Sequence, residues 1–165
     1  MTDVRQAIEG EIPYLRRYAL LLLRDRDAAD DLVQDTLERA LDRLHTQKEA
    51  LRLRAWLYAI LYNLFVSSYR RRMREGVVTE GGDLPDSGAA VQEDRVALRD
   101  LERVLWELPE DQRVALLLVG MEGMTYEEAA EVLKIPIGTL RSRLSRGRKS
   151  LRLRLGEVGL GSGPR

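Results

Sequence analysis

Residues 125–149 read TYEEAAEVLKIPIGTLRSRLSRGRK. Thr125 followed three residues later by Glu128 forms a capping box, which satisfies backbone N–H groups left without partners at a helix start. A short helix from Tyr126 to Leu133 follows, with Ala129 and Ala130 small enough for a second helix to cross closely. Lys134-Ile135-Pro136 is a brief turn, Ile137 and Gly138 lead on, and the next helix begins at Thr139. At about 100° per residue, Leu140, Leu144, Gly147 and Leu151 of that helix fall together and face a core. Ser142, Ser145, Arg146 and Lys149 lie opposite, with Arg141 and Arg148 on one flank and Arg143 on the other. This is a helix-turn-helix.

Its second helix has the chemistry to lie in the major groove of DNA. Arginine bridges two acceptors on a guanine edge, and serine is short enough to let the backbone approach and hydrogen-bond bases or phosphates. The central face then reads bases while the flanking arginines hold phosphate, each such contact contributing about one unit of logarithmic salt slope. The competing reading is a basic solvent-facing helix. The capped first helix, the tight turn and the absence of acids on the second helix count against it.

Charge is segregated along the chain although the net charge is zero. From Arg70 to Arg74 there are four arginines in five residues, and residues 136–154 carry seven bases and no acid. Residues 76–111 hold ten acids against three bases. One charge run is usually a solvated helix face, but two basic patches on separate helices weaken that reading.

With 165 residues, 44% apolar and 33% charged, the chain has the composition of a soluble globular protein. Cysteine is absent, which excludes a disulfide framework and thiolate metal sites. Every apolar run, Ala19 to Leu23 among them, falls far short of the roughly 20 residues of a membrane span, and the N-terminus has no signal-peptide pattern. A cytoplasmic protein without membrane insertion is expected.

Glycines at 76, 81, 82 and 88 and Pro85 stand among acids and small residues with no hydrophobic period, so 76–91 reads as a flexible linker. The predicted fold is all-α: two small helical domains, 1–75 and 92–155, the second containing the helix-turn-helix, then a disordered tail over 156–165. Domains of this size bury only about 60% of their unfolded surface, and helices with leucine stripes suit them.

In the first domain, Ile12 to Leu23 reads as an apolar helix. Asp27 is the N-cap candidate for a helix running to about Leu44, with Leu32, Val33, Leu37, Ala40, Leu41 and Leu44 at helical spacing. Asp30 and Asp31 favour the dipole of that helix and, with Gln34 and Asp35, form a polar ridge beside its apolar stripe. A third helix, about Leu53 to Met73, directs Trp56, Leu57, Ile60, Leu61, Leu64 and Phe65 inward. Its other face bears Tyr58, Tyr62, Asn63, Ser67, Tyr69 and the arginines, a combination suited to single-stranded nucleic acid because bases stack on rings while arginine takes phosphate. These tyrosines equally fit ordinary half-buried packing. In the second domain, Asp94 to Leu108 and Glu110 to about Val119 are amphipathic helices, and Gly120 to Met124 is a turn.

No catalytic constellation is found. His45 is the sole histidine and reads as a surface residue, no phosphate-binding glycine loop occurs, and Met121 and Met124 beside a turn read as gap-fillers. No metal, cofactor or small-molecule substrate is expected.

EDQRVALLLVGMEGMTYEEAAEVLKIPIGTLRSRLSRGRKSL, residues 110–151, resembles region 4 of bacterial sigma factors of the extracytoplasmic-function group. DRDAADDLVQDTLERAL, residues 25–41, followed by RAWLYAILYNL, residues 54–64, resembles their region 2. The resemblance covers nearly the whole chain and implies a dissociable specificity subunit of bacterial RNA polymerase, which is not an enzyme alone. It implies that Asp31, Leu32, Val33, Gln34 and Asp35 dock on the clamp helices of the large subunit of core RNA polymerase. Trp56, Leu57, Tyr58, Asn63, Ser67, Arg70 and Arg71 fall in the segment that melts and holds the minus-ten element of promoter DNA, with a base flipped near Asn63. Thr139, Arg141, Ser142, Arg143, Ser145, Arg146 and Lys149 fall on the helix that reads the minus-thirty-five element. Ser67 and Ser68 stand where the family often has aspartate, and Leu41 replaces a common aromatic. An anti-sigma factor is the further partner implied. Two other readings stay open: a stand-alone DNA-binding regulator whose first domain dimerises, and an interaction protein that mimics a sigma factor and titrates an anti-sigma factor.

Overall fold

The structure is a computed structural model that describes residues 2–46, 52–71 and 92–159. The described residues lie in helices and the turns between them, and no strand is found among them. The chain divides into two compact units, Met1–Pro85 with Glu131–Lys134, and Asp86–Ala130 with Ile135–Arg165. The expected linker at 76–91 lies outside the described residues.

The first unit is centred on α1, Thr2–Leu23. All six residues from Tyr18 to Leu23 are buried, as in a helix surrounded by protein. The helix starts ten residues before the Ile12 expected of it and carries Pro13 inside. An interior proline costs about 3 kcal/mol, which argues against continuity from sequence alone. Here Pro13 sits on the exposed side, while Ile8 one turn upstream is buried and anchors the amino-terminal turns.

Helix α2, Arg26–Asp42, is capped by Asp25 and not by Asp27. Arg24 adopts φ 58° and ends α1, which leaves Asp25 extended, with its carboxylate accepting from the backbone N–H of Asp27 at 2.9 Å and of Ala28 at 3.2 Å. Ala29, Leu32, Val33, Thr36 and Ala40 are its buried stripe. Leu41 departs from the expected stripe and is 47% exposed. Thr36 is buried because its Oγ1 donates to the Leu32 carbonyl at 2.7 Å, which satisfies the hydroxyl locally. A 3-10 turn, Leu44–Thr46, follows.

Helix α3, Leu53–Leu64, runs into a π-helical turn, Phe65–Tyr69, and remains helical through Arg71. Met73, the expected end, lies outside the described residues.

The second unit contains α4, Gln92–Glu107, and α5, Glu110–Leu116, which begins at Pro109 and passes into a π-helical turn, Leu117–Met121. Gly123, at φ 67°, reverses the chain in the left-handed region that glycine enters without steric cost. Helix α6, Tyr126–Leu133, and α7, Ile137–Gly159, follow. Helix α7 starts two residues before Thr139 because Pro136, whose carbonyl accepts from Leu140 N at 3.1 Å, supplies the first turn. It also runs four residues into the segment expected to be a frayed tail, since extending an established helix costs far less than nucleating one.

Candidate nucleic-acid interface

The helix-turn-helix is set by its cap. Thr125 Oγ1 accepts from Glu128 N at 3.1 Å and donates to Glu128 Oε1 at 3.1 Å. Leu140 and Leu144 are buried beneath α7, as is Gly147, and Leu151 is half-buried. At Gly147 the contact is so close that an added Cβ would lie 2.8 Å from Leu116 Cδ1 and 3.4 Å from Gln112 Cβ. The wheel therefore has the orientation read from periodicity.

Arg141, Ser142, Ser145, Arg146, Arg148 and Lys149 are exposed on the far side of α7. Arg141 to Lys149 extend about 12 Å along the helix at about 1.5 Å per residue, and a major groove roughly 12 Å wide admits an α-helix. Two members of the expected set differ from the rest. Thr139 is half-buried, and Arg143 is half-buried with its Nε 3.7 Å from Asp111 Oδ2, so its charge is partly answered within the domain. Arg148 is oriented by Tyr126, whose hydroxyl accepts from Nη1 at 3.1 Å. This tether was missed because a tyrosine one residue after a cap carries no signal about a helix across the turn.

On α3, Asn63, Ser67 and Arg71 are exposed. Arg70 is half-buried, its guanidinium carbon 6.0 Å from the centroid of the Phe65 ring. Trp56, expected inward, is half-exposed at the surface. Tyr58 is the clear correction to the nucleic-acid set: it is fully buried, meeting the Tyr18 ring edge-on at 5.1 Å between centroids. Tyr58 belongs to the stripe of Leu61 and Phe65, three and seven residues on, so it packs and does not face a base. Tyr69 likewise is only 5% exposed. Ordinary packing describes both rings, while Trp56 and Tyr62 are half-buried on the same helix.

On α2, the polar ridge is present, with Asp30, Asp31, Gln34 and Asp35 exposed. Leu32 and Val33, drawn into the docking set with their neighbours, are 0% and 3% exposed and support the ridge from below. Asp35 Oδ2 accepts from the Tyr69 hydroxyl at 2.6 Å, a link across 34 positions of sequence. Near the elbow between α4 and α5, the guanidinium of Arg113 lies 4.0 Å over the Trp106 ring and donates from Nη1 to the Leu108 carbonyl at 3.4 Å. This fixes the approach of α5, on which α7 packs.

No group of three or more metal-ligating side chains is placed to hold an ion among the described residues. No helix among them is long and apolar enough to cross a membrane.

Residues 8–62 match the family described as the Sigma2 domain of PhyR, and residues 98–151 match Sigma-70, region 4. ECF RNA polymerase sigma factor EcfG of Rhodopseudomonas palustris (strain TIE-1) is 40% identical over 153 residues, 92% of this chain and 84% of its own length. The sigma factor RpoE from Bartonella quintana, solved in complex with the anti-sigma factor NepR, has a TM-score of 0.80 at 36% identity, covering 94% of this chain and 98% of that one. Anti-anti-sigma factor PhyR of Bartonella quintana, solved with NepR, has a TM-score of 0.56 at 21% identity over 87% of this chain and 48% of that one, a likeness of fold alone. The region 4 match falls on the helix-turn-helix and the Sigma2 match on α1 to α3, and with the identity to EcfG across nearly the full length the chain belongs to the extracytoplasmic-function RNA polymerase sigma factors.

Proposed function

We propose that this chain is the promoter-specificity subunit of a bacterial RNA polymerase, acting in the cytoplasm and having no catalytic activity of its own. The observation that carries this is the exposed, acid-free face from Arg141 to Lys149, held outward by the buried Leu140, Leu144 and Gly147. The first domain, residues 1–75, docks on core polymerase through Asp31, Gln34 and Asp35, with Leu32 and Val33 shaping the ridge from beneath. Asn63, Ser67, Arg70 and Arg71, with Trp56 alongside, engage the melted minus-ten element, where stacking and hydrogen bonds offset the few kcal/mol of unstacking. The second domain, residues 92–155, reads the minus-thirty-five duplex through Arg141, Ser142, Ser145, Arg146 and Lys149, with Arg143 and Thr139 at its margin. Residues 76–91 link the two domains across the promoter spacer. An anti-sigma factor, as in the RpoE and NepR pair, holds the subunit inactive.

The test is reconstitution. Purified protein added to core polymerase yields a promoter-specific run-off transcript, and absence of both core binding and transcript overturns the proposal. A stand-alone regulator would instead protect a palindromic duplex without polymerase.

A second reading has its own observation, the match of residues 8–62 to the Sigma2 domain of PhyR. A chain that only titrates an anti-sigma factor needs no DNA-reading face, so Arg146→Ala would leave its activity unaltered. In a sigma factor that substitution changes promoter choice.

A further inference from the structure

We propose that Tyr69 is a positioning residue for promoter opening, tying the DNA-facing end of α3 to the docking ridge of α2 through the Asp35 carboxylate. The inference rests on the docking and minus-ten roles proposed above. Tyr69 closes the π-helical turn Phe65–Tyr69, within which Ser67 lies and after which Arg70 and Arg71 follow. In such a turn the backbone bonds over five residues, here Arg70 N to Phe65 O, and the geometry persists where its surroundings hold it. The hold here is the Tyr69 hydroxyl donating to Asp35 Oδ2 at 2.6 Å, the length of a hydrogen bond to an ionised carboxylate. The ring is buried while Asp35 is exposed, so one carboxylate belongs to the outward ridge and also accepts from the turn. Docking on α2 and base capture on α3 then occur on one rigid body.

Three variants in reconstituted holoenzyme separate these roles. Tyr69→Phe keeps the ring and deletes the donor. The expected result is minus-ten opening, read by permanganate reactivity of thymines per bound enzyme, lowered about tenfold, the scale of a hydrogen bond to a charged group. Core affinity stays within about twofold, since the Asp35 charge is untouched. Asp35→Asn keeps a neutral acceptor for the hydroxyl, so opening per bound enzyme falls less than in Tyr69→Phe while core affinity falls. Asp35→Ala, at an exposed site that leaves the core packed, reproduces the opening defect when assayed at saturating core, and adding Tyr69→Phe to it brings no further loss. Wild-type opening by Tyr69→Phe overturns the proposal. So does an equal loss of core affinity and opening in that variant, or additive loss in the double variant. Unchanged core affinity in Asp35→Asn defeats the docking role alone, because opening per bound enzyme still reports on Tyr69.

Discussion

Asp25 and Asp27 are two residues apart, the same amino acid, and do different work. Asp25 accepts two backbone N–H bonds at the head of α2, whereas Asp27 lies inside the first turn and contributes only through the helix dipole. Asp25→Ala is expected to cost about 1 kcal/mol of stability. Asp27→Ala costs about 0.3–1 kcal/mol, less at high salt; thermal melting of the two variants at low and high salt ranks them. A similar division holds on α7. Arg146 is exposed, but Arg143 is half-buried beside Asp111. Arg146→Ala in holoenzyme reduces the logarithmic salt slope of promoter binding by up to about one unit and alters minus-thirty-five preference. Arg143→Ala gives the smaller change, and neither alters core affinity. Equal effects of the two would remove the partial pairing with Asp111 from the argument. What composition conveyed about these residues was their type and face. It could not distinguish Asp25 from Asp27, because both precede an apolar period and the choice depends on the left-handed turn at Arg24.

Gly147 shows what decides packing between elements. A Cβ there would approach Leu116 Cδ1 to 2.8 Å, and because that atom ends a side chain, alanine can be accommodated by a small shift of the leucine. A β-branched side chain cannot be accommodated so easily: Gly147→Val is expected to destabilise by about 1–3 kcal/mol, as overpacked cores do. Chemical unfolding measures it, and a neutral result would mean that α5 and α7 separate freely. The helix-turn-helix was readable because capping chemistry, the turn proline and a 3.6-residue leucine period agree over 25 residues. Helix α3 was less so. Its apolar arc is wide enough to include Tyr58 and Tyr69, and periodicity cannot tell a ring at the margin of such an arc from one facing solvent. The π-helical turns at Phe65–Tyr69 and Leu117–Met121 shift the register within continuous helices and leave no mark in an apolar pattern of fixed period. The turns of α1 before Ile12 carry too few apolar residues to announce themselves, and buried Ile8 anchors them ahead of Pro13.

At the scale of the molecule, zero net charge and segregated bases have a joint consequence. A neutral chain gains little long-range attraction to duplex DNA, so its basic faces matter once another protein brings them to a promoter. Arg71 and Arg146 lie on different helices, in separate units, and share no partner in the contacts described. Energies of such independent sites add within about 0.3–0.5 kcal/mol. In competition binding of holoenzyme to a full promoter, Arg71→Ala and Arg146→Ala are therefore expected to weaken binding additively. On a promoter with a scrambled minus-thirty-five element, the Arg146→Ala penalty shrinks to its phosphate component and the Arg71→Ala penalty persists. If both penalties collapse together, the two faces do not act on separate elements, and a single shared contact with DNA must replace the two-element division.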